Sequence, residues 1–344
     1  MLGFVKKLLP WHKQTTVGLL KPTKLSKQIG RMVVLVGGTP LEEPLPDART
    51  LHHLHPMFRE TANQLISIPS KVVGPIGLLY VMQREMAVTV PHDKNVNIIG
   101  SDDFTTCIVV VLRHTGSGAV GLAHCDGAGI EEGVLSLVSR VQELAMGYPE
   151  GRLQLQFVGG YSDPHHFSEE LFYTLIHAFH KQPVEVELTN VCVGELNTTV
   201  RSGIHWPIIY GIAVNVKTGE VFPATFPDKG PECALRGARH ITGGQQVQQI
   251  LDVYDCSLGL LRIGPFNYHP LRGAELWLAQ PDEFILQHLS TSPDIEPPNF
   301  VMQIRAVLKY IHEHPFPAVT VFRDSRPLYF RRDERSGVWI PFNY

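Results

Sequence analysis

Cysteine is scarce in this chain: five in 344 residues, with no CxxC pair among them. That argues against a disulfide framework and a zinc knuckle and suits a reducing compartment. Because five is odd, at least one thiol stays unpaired within the chain. Long apolar runs are missing too. No stretch reaches the roughly eighteen uninterrupted apolar residues that a membrane-spanning helix needs. There is no Gly-rich strand-to-helix turn of the dinucleotide-binding kind, so a Rossmann reading fails. His52, His53 and His55, His165 with His166, His177 with His180, and His312 with His314 form clusters. None has a Glu or third ligand at a recognisable spacing such as HExxH, and no metal or cofactor is expected.

Acid is absent from the first 31 residues, which carry Lys6, Lys7, Lys13, Lys21, Lys24, Lys27 and Arg31. The net charge of -3 therefore conceals an extension of +7 before a body holding 23 bases and 33 acids. An acidic body argues against nucleic acid as a partner, since phosphate neutralisation needs clustered Lys and Arg. The segment 1–31 reads as an extension outside the fold, with a targeting or membrane-surface role left open. Residues 32–344 read as one domain.

From Met32 the pattern becomes regular. MVVLV reads as a strand, 51–66 as a helix disturbed by Pro56, and 77–124 as a dense run of short strands forming an antiparallel meander. Ile130, Val134, Leu137, Val138 and Val141 fall on one helical stripe. A strand at 153–158, a helix at 168–180 capped by Ser168, and a strand at 184–196 follow. The segments 208–216 and 220–224 form a hairpin. Further strands are expected at 250–254, 260–263, 317–322, 327–330 and 338–342, with helices near 281–289 and 298–313. Strands dominate, and the fold class is α+β: antiparallel sheet layered with helices.

The chemistry concentrates in GSDDFTTCIVVVLRHTGSGAVGLAHCDG, residues 100–127. Alternation puts Thr105, Cys107, Val109 and Val111 on one strand face. A turn centred between Gly116 and Ser117 makes opposing positions sum to 233. His124 then becomes the diagonal, same-face neighbour of Cys107, roughly 7–8 Å away between backbones. A thiol of pKa about 8.5 is mostly protonated at neutral pH, and its thiolate is the nucleophile. An adjacent imidazole can take that proton and return it to a leaving group such as ammonia. Ser101 can fix the imidazole tautomer, and backbone N–H groups near Cys107 can form an oxyanion hole. Taken alone, a cysteine in a valine-rich strand is ordinarily an inert core residue. Cys125 faces the opposite side from His124 and reads as structural.

The stretches GPIGLLYVMQREMAVT (74–89), IIGSDDFTTCIVVVLRHTGSGA (98–119), HCDG (124–127), VGGYSD (158–163), ELN (195–197), PIIYGIAVNVKTGE (207–220), LRIGPF (261–266) and LSTSPDIEPPNFV (289–301) change that balance. In this order they resemble the protein N-terminal asparagine amidohydrolase family across almost all of 32–344. The resemblance implies that Cys107, the cysteine of the SDDxTTC segment, is the nucleophile. It implies a fold similar to the chemoreceptor glutamine deamidases, an α+β sandwich, with a Cys107–His124 dyad oriented by Ser101 and no cofactor. It also implies deamidation of N-terminal asparagine to aspartate through a thioester, feeding arginylation and ubiquitin-dependent degradation in the cytoplasm, with the nucleus as a further compartment.

A free N-terminus brings an α-ammonium, whose natural partner is a pocket carboxylate. Asp102 and Asp103 are the first candidates, with Asp126 opposite Cys107 and Glu195 of the ELN block as others. The expected partners are proteins or peptides beginning with asparagine, and a monomer is the expected state. Two other readings stand beside this one: a non-enzymatic adaptor that binds N-terminal asparagine, and a deamidase of internal Gln or Asn.

Overall fold

The computed structural model describes residues 33–242 and 248–343; the basic extension 1–31 lies outside the described residues. The valine-rich run becomes the strand Ile108–His114. Ile108, Val110 and Leu112 point into one hydrophobic core, Val109 and Val111 into another. A strand buried on both faces has no use for polar alternation, so apolar residues fill it continuously. It lies within an eight-stranded sheet, in spatial order Leu251–Asp252, Glu85–Thr89, Val120–Cys125, Ile108–His114, Leu153–Gly159, Glu185–Val193, Val33–Val36 and Thr39–Pro40.

Helices Ile130–Glu143 and Phe167–His180 cover the first face. The stripe Ile130, Val134, Leu137, Val138 and Val141 is buried there, as are Leu171, Phe172, Leu175 and Phe179. Each large side chain so removed from water contributes about 1.5–3 kcal/mol. The first helix sits close over Gly121, where a Cβ would stand 2.6 Å from Leu137 Cδ1. Against the second face lies a five-stranded sheet in the order Lys71–Val72, Val221–Thr225, Gly211–Asn215, Ile98–Asp102 and Leu78–Tyr80. Its Leu79, Ile99, Ile212 and Val214 share a core with Val109, Val111 and Leu122. A four-stranded sheet of Tyr254–Asp255, Leu260–Ile263, Leu328–Arg332 and Trp339–Phe342 adds Tyr254, Leu261 and Phe330 to that core.

The architecture is mixed α/β with several sheets, and it corrects the purely antiparallel expectation. Leu153–Gly159 and Glu185–Val193 pair in parallel, joined by the helix Phe167–His180 as such a crossover requires. Val33–Val36 also pairs in parallel with Glu185–Val193. Nor is 77–124 a meander. Leu78–Tyr80 pairs in parallel with Ile98–Asp102 in the five-stranded sheet, while Glu85–Thr89 pairs with Val120–Cys125 in the eight-stranded one. The chain thus alternates between the two stacked sheets.

Smaller differences have local causes. Pro56 divides the first helical region into Ala48–Leu54 and Met57–Ser67. Ser168 does not cap its helix; its Oγ accepts a hydrogen bond from Tyr161 N, and Asp163 accepts from Phe167 N and Ser168 N instead. The 317–322 stretch is no strand but contains the short helix Pro317–Thr320, with proline in the first turn, where a missing N–H costs little. The helix Cys233–Thr242 and the hairpin Thr198–Arg201 with Ile204–Pro207 were not visible in the sequence pattern.

Candidate active site

The hairpin register is the one that sums to 233: Ile108 faces Cys125 and Val109 faces His124. Cys107 lies just before the strand, partly exposed, and packs on the same core as Val109 and Val111. His124 is buried on the adjacent strand, on the face that looks toward the second sheet. There Ser101, fully buried on Ile98–Asp102, places its Oγ 2.7 Å from His124 Nδ1. The other ring nitrogen, Nε2, is buried and has no hydrogen-bond partner among the described residues. Phe104 meets the imidazole edge-to-face, with centroids 5.9 Å apart. Cys125 points into the helix-side core, opposite His124.

Two glycines hold the thiol-bearing segment. Gly160 N donates to Cys107 O at 2.7 Å. Gly159 has φ +116, and a Cβ there would stand 2.7 Å from Cys107 O and 2.9 Å from the Phe104 ring. Only glycine tolerates both the dihedral and the approach. The VGGYSD block is therefore a backbone cradle for Cys107.

Burial pushes the Cys107 thiol well above its ordinary value, and the charges of Asp126 and Glu296 add to this. Burial also lowers the His124 imidazole to about 4, with Lys229 acting in the same direction. At neutral pH the pair rests as thiol and neutral imidazole, not as an ion pair.

The four candidate carboxylates all have cations nearby. Lys229 Nζ bridges Asp102 and Asp103, the latter at 2.7 Å, and Tyr80 Oη donates to Asp102 at 2.7 Å. Burial works against the Lys229 charge, but the two carboxylates outweigh it and hold the ammonium protonated. Asp126 pairs with Arg84 Nε at 2.7 Å and accepts from Gln83 and Ala128 N. Burial would raise its carboxyl; Arg84 and these donors bring it below the usual range. Glu195, more than half exposed, lies 3.6 Å from Arg49 on the wall of a cavity of about 690 Å³.

That cavity is also lined by Tyr161, Ser168, Thr291 and Ser292. Ser168 Oγ reaches Thr106 O, Thr291 Oγ1 reaches Thr106 Oγ1, and Ser292 Oγ lies 2.8 Å from Thr105 Oγ1. Its wall therefore abuts the two residues preceding Cys107. Glu296, from the same loop as Ser292, was not among the sequence candidates. Nor were Lys229, Arg84, Phe104 or the glycine cradle. Phe104 lies three residues before Cys107, but the others reach the site through tertiary packing, with no spacing relation to Cys107 that a periodic pattern could reveal.

A stacked-sheet fold in which a serine hydroxyl of one sheet anchors an imidazole of the other, opposite the strand that follows a cysteine, is an arrangement suited to covalent hydrolysis of acyl compounds. The model of the family described as protein N-terminal asparagine amidohydrolase matches residues 68–341. The pig protein of that name is 44% identical over 308 residues, covering 90% of this chain and 97% of its own. The human one is 42% identical over the same coverage, and an Arabidopsis thaliana one is 28% identical over 284 residues, covering 76% and 80%. The chain belongs to the protein N-terminal asparagine amidohydrolase family.

Proposed function

We propose that this protein hydrolyses the side-chain amide of asparagine at the N-terminus of proteins and peptides, giving aspartate and ammonia, with Cys107 as nucleophile. The observation that carries this reading is the Ser101–His124 hydrogen bond, with Val109 opposite His124 and Cys107, two residues before Val109, packed on the same core. With Nδ1–H donating to Ser101 Oγ, the Nε2 lone pair is the free base. His124 takes the thiol proton as Sγ bonds to the amide carbon, then gives it to the departing nitrogen. The C–N bond breaks, ammonia leaves, and a thioester remains on Cys107. Water, deprotonated by the same Nε2, attacks the thioester carbon; the S–C bond breaks and the thiol recovers its proton. The scaffold's likeness to the Cys–His deamidases is part of this reading, as is an N-terminal aspartate product that feeds arginylation and ubiquitin-dependent degradation in the cytoplasm and nucleus.

The test is ammonia release from peptides beginning with Asn, Gln or acetyl-Asn. Release from the free Asn peptide alone, abolished in Cys107→Ala and Cys107→Ser, is the expected result. Full activity in Cys107→Ala would overturn the assignment of the nucleophile. Binding without ammonia release would favour the adaptor, and turnover of the acetylated peptide would favour an internal deamidase.

A further inference from the structure

Among the described residues, the hairpin of Thr198–Arg201 and Ile204–Pro207 is a sheet of two strands with no third. Ser202 (φ +50) and Gly203 (φ +81) make its turn, both left-handed as a two-residue hairpin turn of this kind requires. One bond sets the phase of the ladder. Ile208 N donates to Asn197 O at 2.9 Å, and these residues face each other just beyond the Thr198–Pro207 pair. Bonded and non-bonded pairs alternate along antiparallel strands. Trp206 and Ile204 therefore bond to Thr199 and Arg201, while Pro207 falls in a non-bonded pair, where its missing N–H costs the hairpin nothing. The main-chain N–H and C=O of His205 point outward, away from the first strand, and neither has a partner among the described residues.

This open edge borders the cavity of about 690 Å³: Ile204 and His205 line it together with Gly203 of the turn, and the first strand supplies none of its lining. The hairpin is held by its face and not by that edge. His205 Nδ1 lies 2.8 Å from Ser162 O, and Ser162 N donates to Thr198 Oγ1. His205 is itself exposed. A strand edge with unpaired main-chain groups is a template for another extended chain.

We propose that the substrate chain beyond its reacting asparagine runs extended through this cavity and adds as a third strand to the Ile204–Pro207 edge, its main chain bonded to the N–H and C=O of His205. The inference rests on the deamidase reading above. A chain whose first residue reaches Cys107 continues into the space beside it. The cavity wall abuts Thr105 and Thr106 at one end and the hairpin at another, so the two sites are continuous. An extended chain advances about 3.3 Å per residue, which makes the occupant of the edge a segment of the same substrate a few residues from its terminus. Strand addition reads the main chain, which every protein carries, and is tolerant of side chains. The substrate class is therefore any N-terminal asparagine whose first five or so residues lie extended. A terminus held in a helix or packed into a fold cannot pair with the edge and is not cleaved until it is released.

The experiment measures kcat and KM for ammonia release from Asn peptides of two to six residues, and from the hexapeptide N-methylated in turn at its third, fourth and fifth amide nitrogens. KM should fall about 10-fold from the dipeptide to the hexapeptide, the scale of one or two main-chain hydrogen bonds, with kcat nearly constant. At least one N-methyl peptide should lose that gain, whereas Ala, Lys or Glu at the same positions should keep KM within about 3-fold. His205→Pro removes the outward N–H without touching the ladder to Thr198–Arg201, and should abolish the gain with length. His205→Ala keeps the N–H and should retain the gain. A KM independent of length, a KM set by those side chains, or N-methylation without effect at every position overturns the proposal, as does His205→Pro with the wild-type gain. If His205→Pro lacks a cooperative thermal transition, the N-methyl series decides. Wild type that releases no ammonia from any Asn peptide would instead sink the deamidase reading itself, so the two failures are distinguishable.

Discussion

Ser101 Oγ and His124 Nδ1 stand 2.7 Å apart although their strands belong to different sheets. The contact follows from the chain's alternation between the sheets: Ile98–Asp102 enters the five-stranded one, and the hairpin of Ile108–His114 and Val120–Cys125 lies in the other. Orientation of the imidazole is thus coupled to the packing of one sheet on the other. Ser101→Ala leaves a buried ring nitrogen unsatisfied, at a cost of about 1–3 kcal/mol. The expected outcome is a lower melting temperature together with a loss in kcat of about 100-fold, the scale of a misplaced catalytic group. KM for the Asn peptide should stay near wild type. A variant with wild-type kcat would show that His124 needs no such anchor.

Gly159→Ala tests the backbone cradle. The new Cβ would press on Cys107 O and the Phe104 ring at a φ of +116. Strain of this kind costs about 1–3 kcal/mol. Because the displaced atom belongs to Cys107, the proposed nucleophile, kcat should fall along with stability. Thermal unfolding with steady-state kinetics checks both. Alanine tolerated without change in either would mean that the Cys107 carbonyl is not fixed by this contact.

The acid stability of the protein should carry a signature of His124. Its folded pKa of about 4 lies below the unfolded value of about 6.5, because burial disfavours the imidazolium. The unfolded chain then binds more protons in this window. The associated stability is present in full above pH 6.5 and is lost as pH falls toward 4, by an amount on the order of 3 kcal/mol. Urea denaturation of wild type and His124→Gln at pH 4.5, 5.5 and 6.5 reads this directly. The slope of stability against pH should be shallower in the variant by up to one proton. Parallel slopes would show that His124 does not carry the acid sensitivity.

Much of this geometry was legible in the sequence, and the remainder was hidden for identifiable reasons. The register of Val109 against His124 follows from a turn near Gly116 and Ser117 and strict strand alternation, both local properties. The strand pairings did not follow, because a parallel neighbour such as Glu185–Val193 is chosen by the helix packed between the strands and not by strand composition. Asp102 and Asp103 drew attention by their closeness to Cys107 in the chain, yet proximity in sequence said nothing about Lys229, 127 residues from Asp102, which engages both. Glu296 lies in the stretch LSTSPDIEPPNFV, 189 residues after Cys107, with no local pattern to link the two. Only folding brings Ser292 and Thr105, 187 residues apart, into contact.

Lys229 provides the sharpest discrimination between the carboxylates. It is largely buried between Asp102 and Asp103, with Tyr80 Oη 3.1 Å from its Nζ. Removing one partner of a buried pair leaves an uncompensated charge, a loss of about 3–5 kcal/mol. Lys229→Met should therefore destabilise the protein strongly. Lys229→Met combined with Asp102→Asn should recover a large part of that loss, since the charge left behind is removed with it. The same variant tests that pair as the receptor for the substrate ammonium. If Asp102 and Asp103 receive it, Lys229 is their competitor, and Lys229→Met should lower KM for free-amine peptides while leaving acetylated ones unaffected. If they do not, KM should stay at the wild-type value, measured at a temperature where the variant remains folded. A lowered KM would assign the ammonium site to the pair beside Ser101.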